Sequence, residues 1–94
     1  MLEPELGVIV TSRAGHDKGR AFVIVGREGS EHLRLADGKT RRIEQPKKKK
    51  LRHVHIEPHI ACGIREQLAA GKPVQNAELA KALSALGYNT DAGK

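Results

Sequence analysis

Aromatic residues are almost missing from this chain: its 94 residues include one Phe, one Tyr and no Trp. With only Phe22 and Tyr88 available, packing falls to Val, Ile, Leu and Ala, and an aromatic-lined pocket for a small organic molecule is not expected. Cysteine is as scarce. Cys62 stands alone, so no internal disulfide forms. No run of ~18 apolar residues exists to cross a bilayer as a helix. The opening MLEPELGV lacks the basic-then-apolar layout of a signal peptide, so the expectation is a cytoplasmic protein with no membrane partner.

What the chain does have is positive charge, and it is unevenly spread. The formal net charge is +6, with 13 Lys/Arg against 7 Asp/Glu before residue 57 and 4 against 4 from there on. Like-signed charge gathered on one small unit attracts polyanions, of which nucleic acid is the commonest in the cytosol. A generally basic, soluble surface is the plainer alternative. A chain of this length allows one small domain, burying roughly two thirds of its unfolded surface.

Periodicity places the elements. Met1 to Glu5 reads as a frayed arm. Val8 and Val10 then point one way and Ile9 the other, and Ala21 to Val25 is an unbroken β-branched and aromatic run suited to a central strand. After the GREGS turn, Leu33 and Leu35 alternate with polar neighbours as a third strand. Asp37-Gly38 signals a type I′ hairpin leading to a fourth strand over Thr40 to Glu44, with Ile43 towards the core. Pro46 closes it, Lys47 to Lys50 reads as a solvated run, and Leu51 to Ile56 resumes alternation as a fifth strand. Five short strands at regular intervals predict a mainly β fold, a small SH3-like barrel over residues 1–56, because closure removes exposed edges.

After Pro58 the period changes. Ile60, Ile64 and Leu68 recur every four residues up to Gly71, and Asn76 caps a second helix whose stripe is Leu79, Leu83 and Leu86 before Gly87. The short linker between them predicts a C-terminal α-helical hairpin, so that residues 57–94 form a helical extension ending in a disordered tail from Asn89. The stripes require cover from each other and then from the barrel, from a second copy in a homodimer, or from a partner.

The most informative stretch is the loop RAGHDKGR between the first two strands. Gly15 and Gly19 let the backbone turn sharply and bring its N–H groups close to a phosphate, while Arg13, Lys18 and Arg20 supply charge around that approach. Asp17 is expected to fix the loop by accepting backbone N–H bonds. Neither a GKS/GKT ending nor a following helix is present, so nucleotide hydrolysis is not supported.

These residues carry a resemblance. GVIVTSRAGHDKGRAFVIV resembles a KOW motif, the strand-loop-strand element of several ribosomal proteins and transcription elongation factors. AGHDKG followed by ADGKTRRIEQPKKKKLRH is similar to bacterial KOW-domain RNA-binding proteins akin to a eukaryotic-type large-subunit ribosomal protein, and GKPVQNAELAKAL is similar to their helical end. The resemblance spans nearly the whole chain. It implies an SH3-like barrel that binds RNA, with no catalysis and no cofactor. By motif, Gly15, Lys18 and Gly19 match the family's loop, and Lys39, Arg41 and Lys47 to Lys50 match its second basic stretch. Many KOW motifs carry a further glycine after the Lys-Gly pair, where this chain has Arg20-Ala21-Phe22, so no ligand contact transfers to Ala21 or Phe22.

The expected binding surface therefore comprises Arg13, Gly15, Lys18, Gly19, Arg20, Lys39, Arg41, Arg42, Lys47, Lys48, Lys49, Lys50 and Arg52. Lysines serve phosphates as point charges, and without aromatic stacking platforms the reading favours structured RNA, ribosomal RNA or the ribosome, recognised by backbone and shape. His53, His55, His59 and Cys62 hold metal-ligand atoms, but H-x-H-x3-H-x2-C matches no standard zinc module, and Cys62 is expected to pack as a small hydrophobe. An enzyme would need His16 beside Asp17, the only adjacent candidates, and is not expected. The competing function is a protein-interaction module that binds a translation or transcription factor through the barrel or the helical stripes.

Overall fold

Short antiparallel connections order most of the sheet. The computed structural model describes residues 2–89, with β1 (Val8–Ser12), β2 (Ala21–Glu28), β3 (His32–Ala36), β4 (Lys47–Lys50), a single 3₁₀ turn (Leu51–His53), β5 (Val54–Ile60), α1 (Cys62–Ala69) and α2 (Asn76–Ala85). The fold is mainly β. Its five strands make one antiparallel sheet in the order β4-β3-β2-β1-β5.

Alternation over the first half of β2, before its register shifts between Ile24 and Gly26, builds two cores. Phe22 and Ile24 join Val8, Val10, Leu33, Leu35 and Val54 on the inner face, while Ala21 and Val23 join Ile9 and Ala36 on the outer one. The helices cover the outer face with Ile64, Val74, Leu79 and Leu83. The inner cluster draws on sheet residues together with Leu2 and Leu51, yet Val10, Phe22, Ile24, Leu33 and Leu35 are fully buried. Among the described residues neither α1 nor α2 contributes a side chain to that cluster.

Several expectations change. Thr40 to Glu44 is a series of bends and turns, not a strand. The Asp37 carboxylate takes the backbone N–H groups of Lys39 and Arg41 and the Thr40 hydroxyl, and the Asp37 and Gly38 N–H groups both donate to Arg41 O, so a tight turn wrapped round this side chain replaces the hairpin ladder. β3 consequently finds its partner in the lysine run itself, with Leu35 opposite Lys47 and Leu33 opposite Lys49. The expected fifth strand starts as the 3₁₀ turn and continues through Pro58 to Ile60, beyond the boundary drawn at residue 56. Ile60 thus belongs to the sheet and packs on the inner cluster, not on the stripe of α1.

The helix ends obey local chemistry. Gly71 and Gly87 have φ +73° and +88° just past their helices, as the glycine stop signals predict. Gln75, not Asn76, is the N-cap of α2, and its N–H donates to Glu78 Oε1 at 3.0 Å. Leu79 and Leu83 are buried whereas Leu86, at the C-cap, is 41% exposed. Both termini of the described chain are fastened. Leu2 packs on the inner cluster, Glu5 accepts from Arg65 Nη2 at 3.0 Å, and the Asn89 side chain pairs with both the N–H and the carbonyl of Ala21 at 2.9 and 2.8 Å. The arm at residues 2–5 and Asn89 are therefore attached to the fold; residues 90–94 of the expected tail lie outside the described residues.

Candidate nucleic-acid interface

The loop between β1 and β2 is closed at its mouth by Ser12 N–H to Arg20 O (3.0 Å) and Gly19 N–H to Ser12 O (2.9 Å). Inside it, Lys18 N–H reaches Gly15 O and Arg20 N–H reaches Asp17 O. Gly15 and Gly19 stand at φ +81° and +86°, in the left-handed region that the two turns demand. Neighbouring elements are tied to this loop from three sides. Arg13 N–H donates to His53 O at 2.9 Å, Lys47 Nζ donates to Asp17 Oδ2 at 2.6 Å, and Arg20 Nε donates to Asp37 Oδ2 at 2.6 Å.

β4 does something that a solvated charge run does not. Its register sets Lys47 and Lys49 on the side of Leu35 and Leu33, and sends Lys48 and Lys50 to the other side. Lys49 is only 9% exposed, its stem laid along apolar neighbours and its ammonium donating to the Ala14 carbonyl at 3.0 Å. Burial, and the nearby Lys47 charge, lower its pKa, with Asp17 opposing. Asp17 is held below the usual carboxylate range by the Lys47 hydrogen bond against the opposing effect of burial, with Arg41 and Lys49 adding positive field. Asp17 therefore braces the loop through a side-chain ion pair instead of by collecting backbone N–H groups.

Asp37 organises the second basic loop. Its side chain is fully buried and bonded to Arg20, Thr40 and the N–H groups of Lys39 and Arg41. Burial pushes its pKa up, but these hydrogen bonds outweigh it and leave the carboxyl below its ordinary value. On the far side, Asn76 Oδ1 accepts from Ile43 N–H at 2.7 Å and its amide donates to Glu44 at 3.0 Å, which docks the same loop on α2. Gly38, at φ +80°, lies so close to α2 that a β-carbon there would stand 2.1 Å from Asn76 O.

The expected surface residues therefore divide. The side chains of Arg13, Lys18, Lys39, Arg41, Lys50 and Arg52 form no hydrogen bond or ion pair among the described residues. Arg20, Lys47 and Lys49 are engaged inside the fold, and Lys48 and Arg42 make surface pairs with Glu28 (3.3 Å) and Glu44 (3.6 Å). A groove of about 370 Å³ runs along β4 between His32 and His53, and a second of about 440 Å³ lies over Lys39, Thr40, Arg41 and Arg42. The candidate metal ligands are dispersed. His53 lies in the 3₁₀ turn, His55 is exposed 3.8 Å from Glu57, His59 meets the edge of Tyr88, and Cys62 is exposed instead of packed. Among the described residues no group of three or more His, Cys, Asp or Glu side chains assembles into a metal site. No helix among them is long and apolar enough to cross a membrane.

No protein-family model matches the chain, and no curated protein is significantly similar to it. Nothing in the residues alone announces Ser12, the loop-docking role of Asn76 or the bracing role of Lys47 and Lys49. The last was recoverable only from strand register, which the lysine run, without an apolar residue, does not announce.

Proposed function

We propose that this chain is a non-catalytic, cytoplasmic RNA-binding protein, associated with the ribosome or its assembly, and built on an SH3-like barrel of the KOW type. The observation that supports it most is the set of six basic side chains left without an acidic partner, carried by elements fastened to one braced glycine loop. Cations held apart from their own acids are available to displace counterions from phosphates. The inner face of the sheet, buried without a side chain from α1 or α2, supports the barrel. The lack of stacking aromatics favours folded RNA read through backbone and shape, and no cofactor is required. Docking of a partner, or of a second copy, through the helical stripes is less favoured, because Ile64, Leu79 and Leu83 are buried within the chain.

The test is titration of the protein with structured ribosomal RNA and with duplex DNA of equal length across salt concentration. RNA is expected to bind more tightly, with a log-log salt slope of about 5 if all six cations meet phosphates. Equal, weak and salt-insensitive binding to both would refute the proposal.

A further inference from the structure

The loop presents more than side-chain charge. The backbone N–H groups of Ala14, Gly15, His16 and Asp17 donate to no acceptor among the described residues, although every other N–H from Ser12 to Arg20 is bonded. Residues 14 to 16 are exposed, so solvent reaches these amides. Gly15 supplies the left-handed residue by which successive N–H groups come to line an anion-binding concavity.

What sets their direction lies beneath. The Ala14 carbonyl is held by two buried donors, Ser12 Oγ at 2.9 Å and Lys49 Nζ at 3.0 Å. In a trans peptide the carbonyl and the following N–H point in opposite directions, so drawing Ala14 O inward turns Gly15 N–H outward. The Gly15 carbonyl is occupied in the same way by Lys18 N–H, which turns His16 N–H away from the turn. The one acid at the tip is neutralised by Lys47, so it does not repel an arriving anion.

We propose that the main-chain N–H groups of Gly15, His16 and Asp17 form a seat for one phosphate of the bound nucleic acid, and that Lys49 and Ser12 are positioning residues that hold this seat open without touching the phosphate. The seat rests on the RNA-binding reading and deepens it: one anchoring phosphate is held by the backbone, with Arg13, Lys18 and Arg41 left to follow the strand on either side. Lys49 then differs in kind from Lys50, although the two are adjacent in sequence.

Amide NMR of the full chain tests it, using inorganic phosphate as the probe and structured RNA in a separate titration. In the wild type the three amides are expected to shift and saturate with phosphate. Lys49→Met and Ser12→Ala should each abolish that response and weaken RNA binding several-fold with the salt slope unchanged, while Lys49→Arg retains both. Lys50→Met should leave the amide response intact and lower the slope by about one unit. The dispersed amide spectrum of each variant reports that it is folded, and Ser12→Ala provides the test if Lys49→Met is not. A normal amide response in both Lys49→Met and Ser12→Ala would overturn the positioning role, as would a Lys49→Met variant that loses a unit of slope as a phosphate ligand does. RNA binding without any phosphate response at these amides would overturn the seat and leave the RNA reading standing. A phosphate response without RNA binding would keep the seat and remove that reading.

Discussion

Asp37→Ala is the substitution with the clearest expected cost. It deletes a carboxylate with no exposed surface and four donors: Lys39 N–H and Arg41 N–H on Oδ1 at 2.9 and 2.8 Å, and Thr40 Oγ1 and Arg20 Nε on Oδ2 at 2.7 and 2.6 Å. Removing one partner of a buried ion pair costs about 3–5 kcal/mol, and each stranded donor about 1–3. These terms do not add, because Arg20 is 20% exposed and Lys39 lies at the surface, so water recovers part of the loss. The expected destabilisation is therefore ~3 kcal/mol, which at this chain length lowers Tm by roughly 12–24 °C. Urea unfolding followed by far-UV circular dichroism measures it, since the chain has no Trp. Asp37→Asn keeps Oδ1 for the two backbone donors and turns an amide towards Thr40 and Arg20, so it should cost less than Asp37→Ala, about 2 kcal/mol. A loss below ~1 kcal/mol for Asp37→Ala, with an unchanged denaturant slope, would refute the assignment of Asp37 as the organiser of this loop. The pH dependence follows in sign. The folded carboxyl lies below its usual 3.8, so its stabilisation is complete above the unfolded value and is lost as pH falls through the folded one. The acid limb of the stability curve should be shallower in Asp37→Ala.

Three further outcomes are expected. Arg13→Ala with Lys18→Ala should reduce the salt slope of RNA binding by about two units at unchanged stability, whereas Arg20→Ala should destabilise the fold by breaking its pair with Asp37; paired binding and unfolding measurements separate them. Gly38→Ala should cost more than Gly19→Ala in urea: both strain a left-handed backbone by about 1–3 kcal/mol, but only the first also drives a β-carbon into Asn76 O. Tyr88, pushed up to about 12 by burial and by its hydrogen bond to Glu57, should titrate in ultraviolet absorbance about two units above the unfolded value of 10.0; the stability it contributes is present below pH 10 and is lost as pH rises through 12.

The strands with apolar alternation were legible in the residues, because the pleat and the core impose the same period. Val8 to Val10, Ala21 to Val25 and Leu33 to Leu35 occupy the faces that their pattern implies. β4 was not legible. Four lysines carry no hydrophobic signal, and their strand exists because β3 lacks another partner once Asp37 has closed the intervening loop on itself. Asn76 and Asn89 look like a cap and a tail residue from local context, yet each spends its side chain on backbone distant in sequence. The glycine loop was visible as a basic turn, but the division of its surrounding charges into braces and unpartnered cations depends on which carboxylates and carbonyls lie within reach.

The fastening of Asn89 to Ala21 has a kinetic consequence. That pair joins residues 68 apart, and the Thr11 to Glu57 hydrogen bond spans 46, whereas β2 and β3 are linked by a three-residue turn. Closing the long loops costs more chain entropy, so a β1-β2-β3 meander is the cheapest nucleus, and β5, the helices and Asn89 join it afterwards. Unfolding in reverse then begins with release of Asn89 from the first residue of β2. Partial opening there releases the Ala21 main chain from Asn89 while its pairing with Thr11 persists, so the backbone immediately next to Arg20 loses one of its supports when Asn89 undocks.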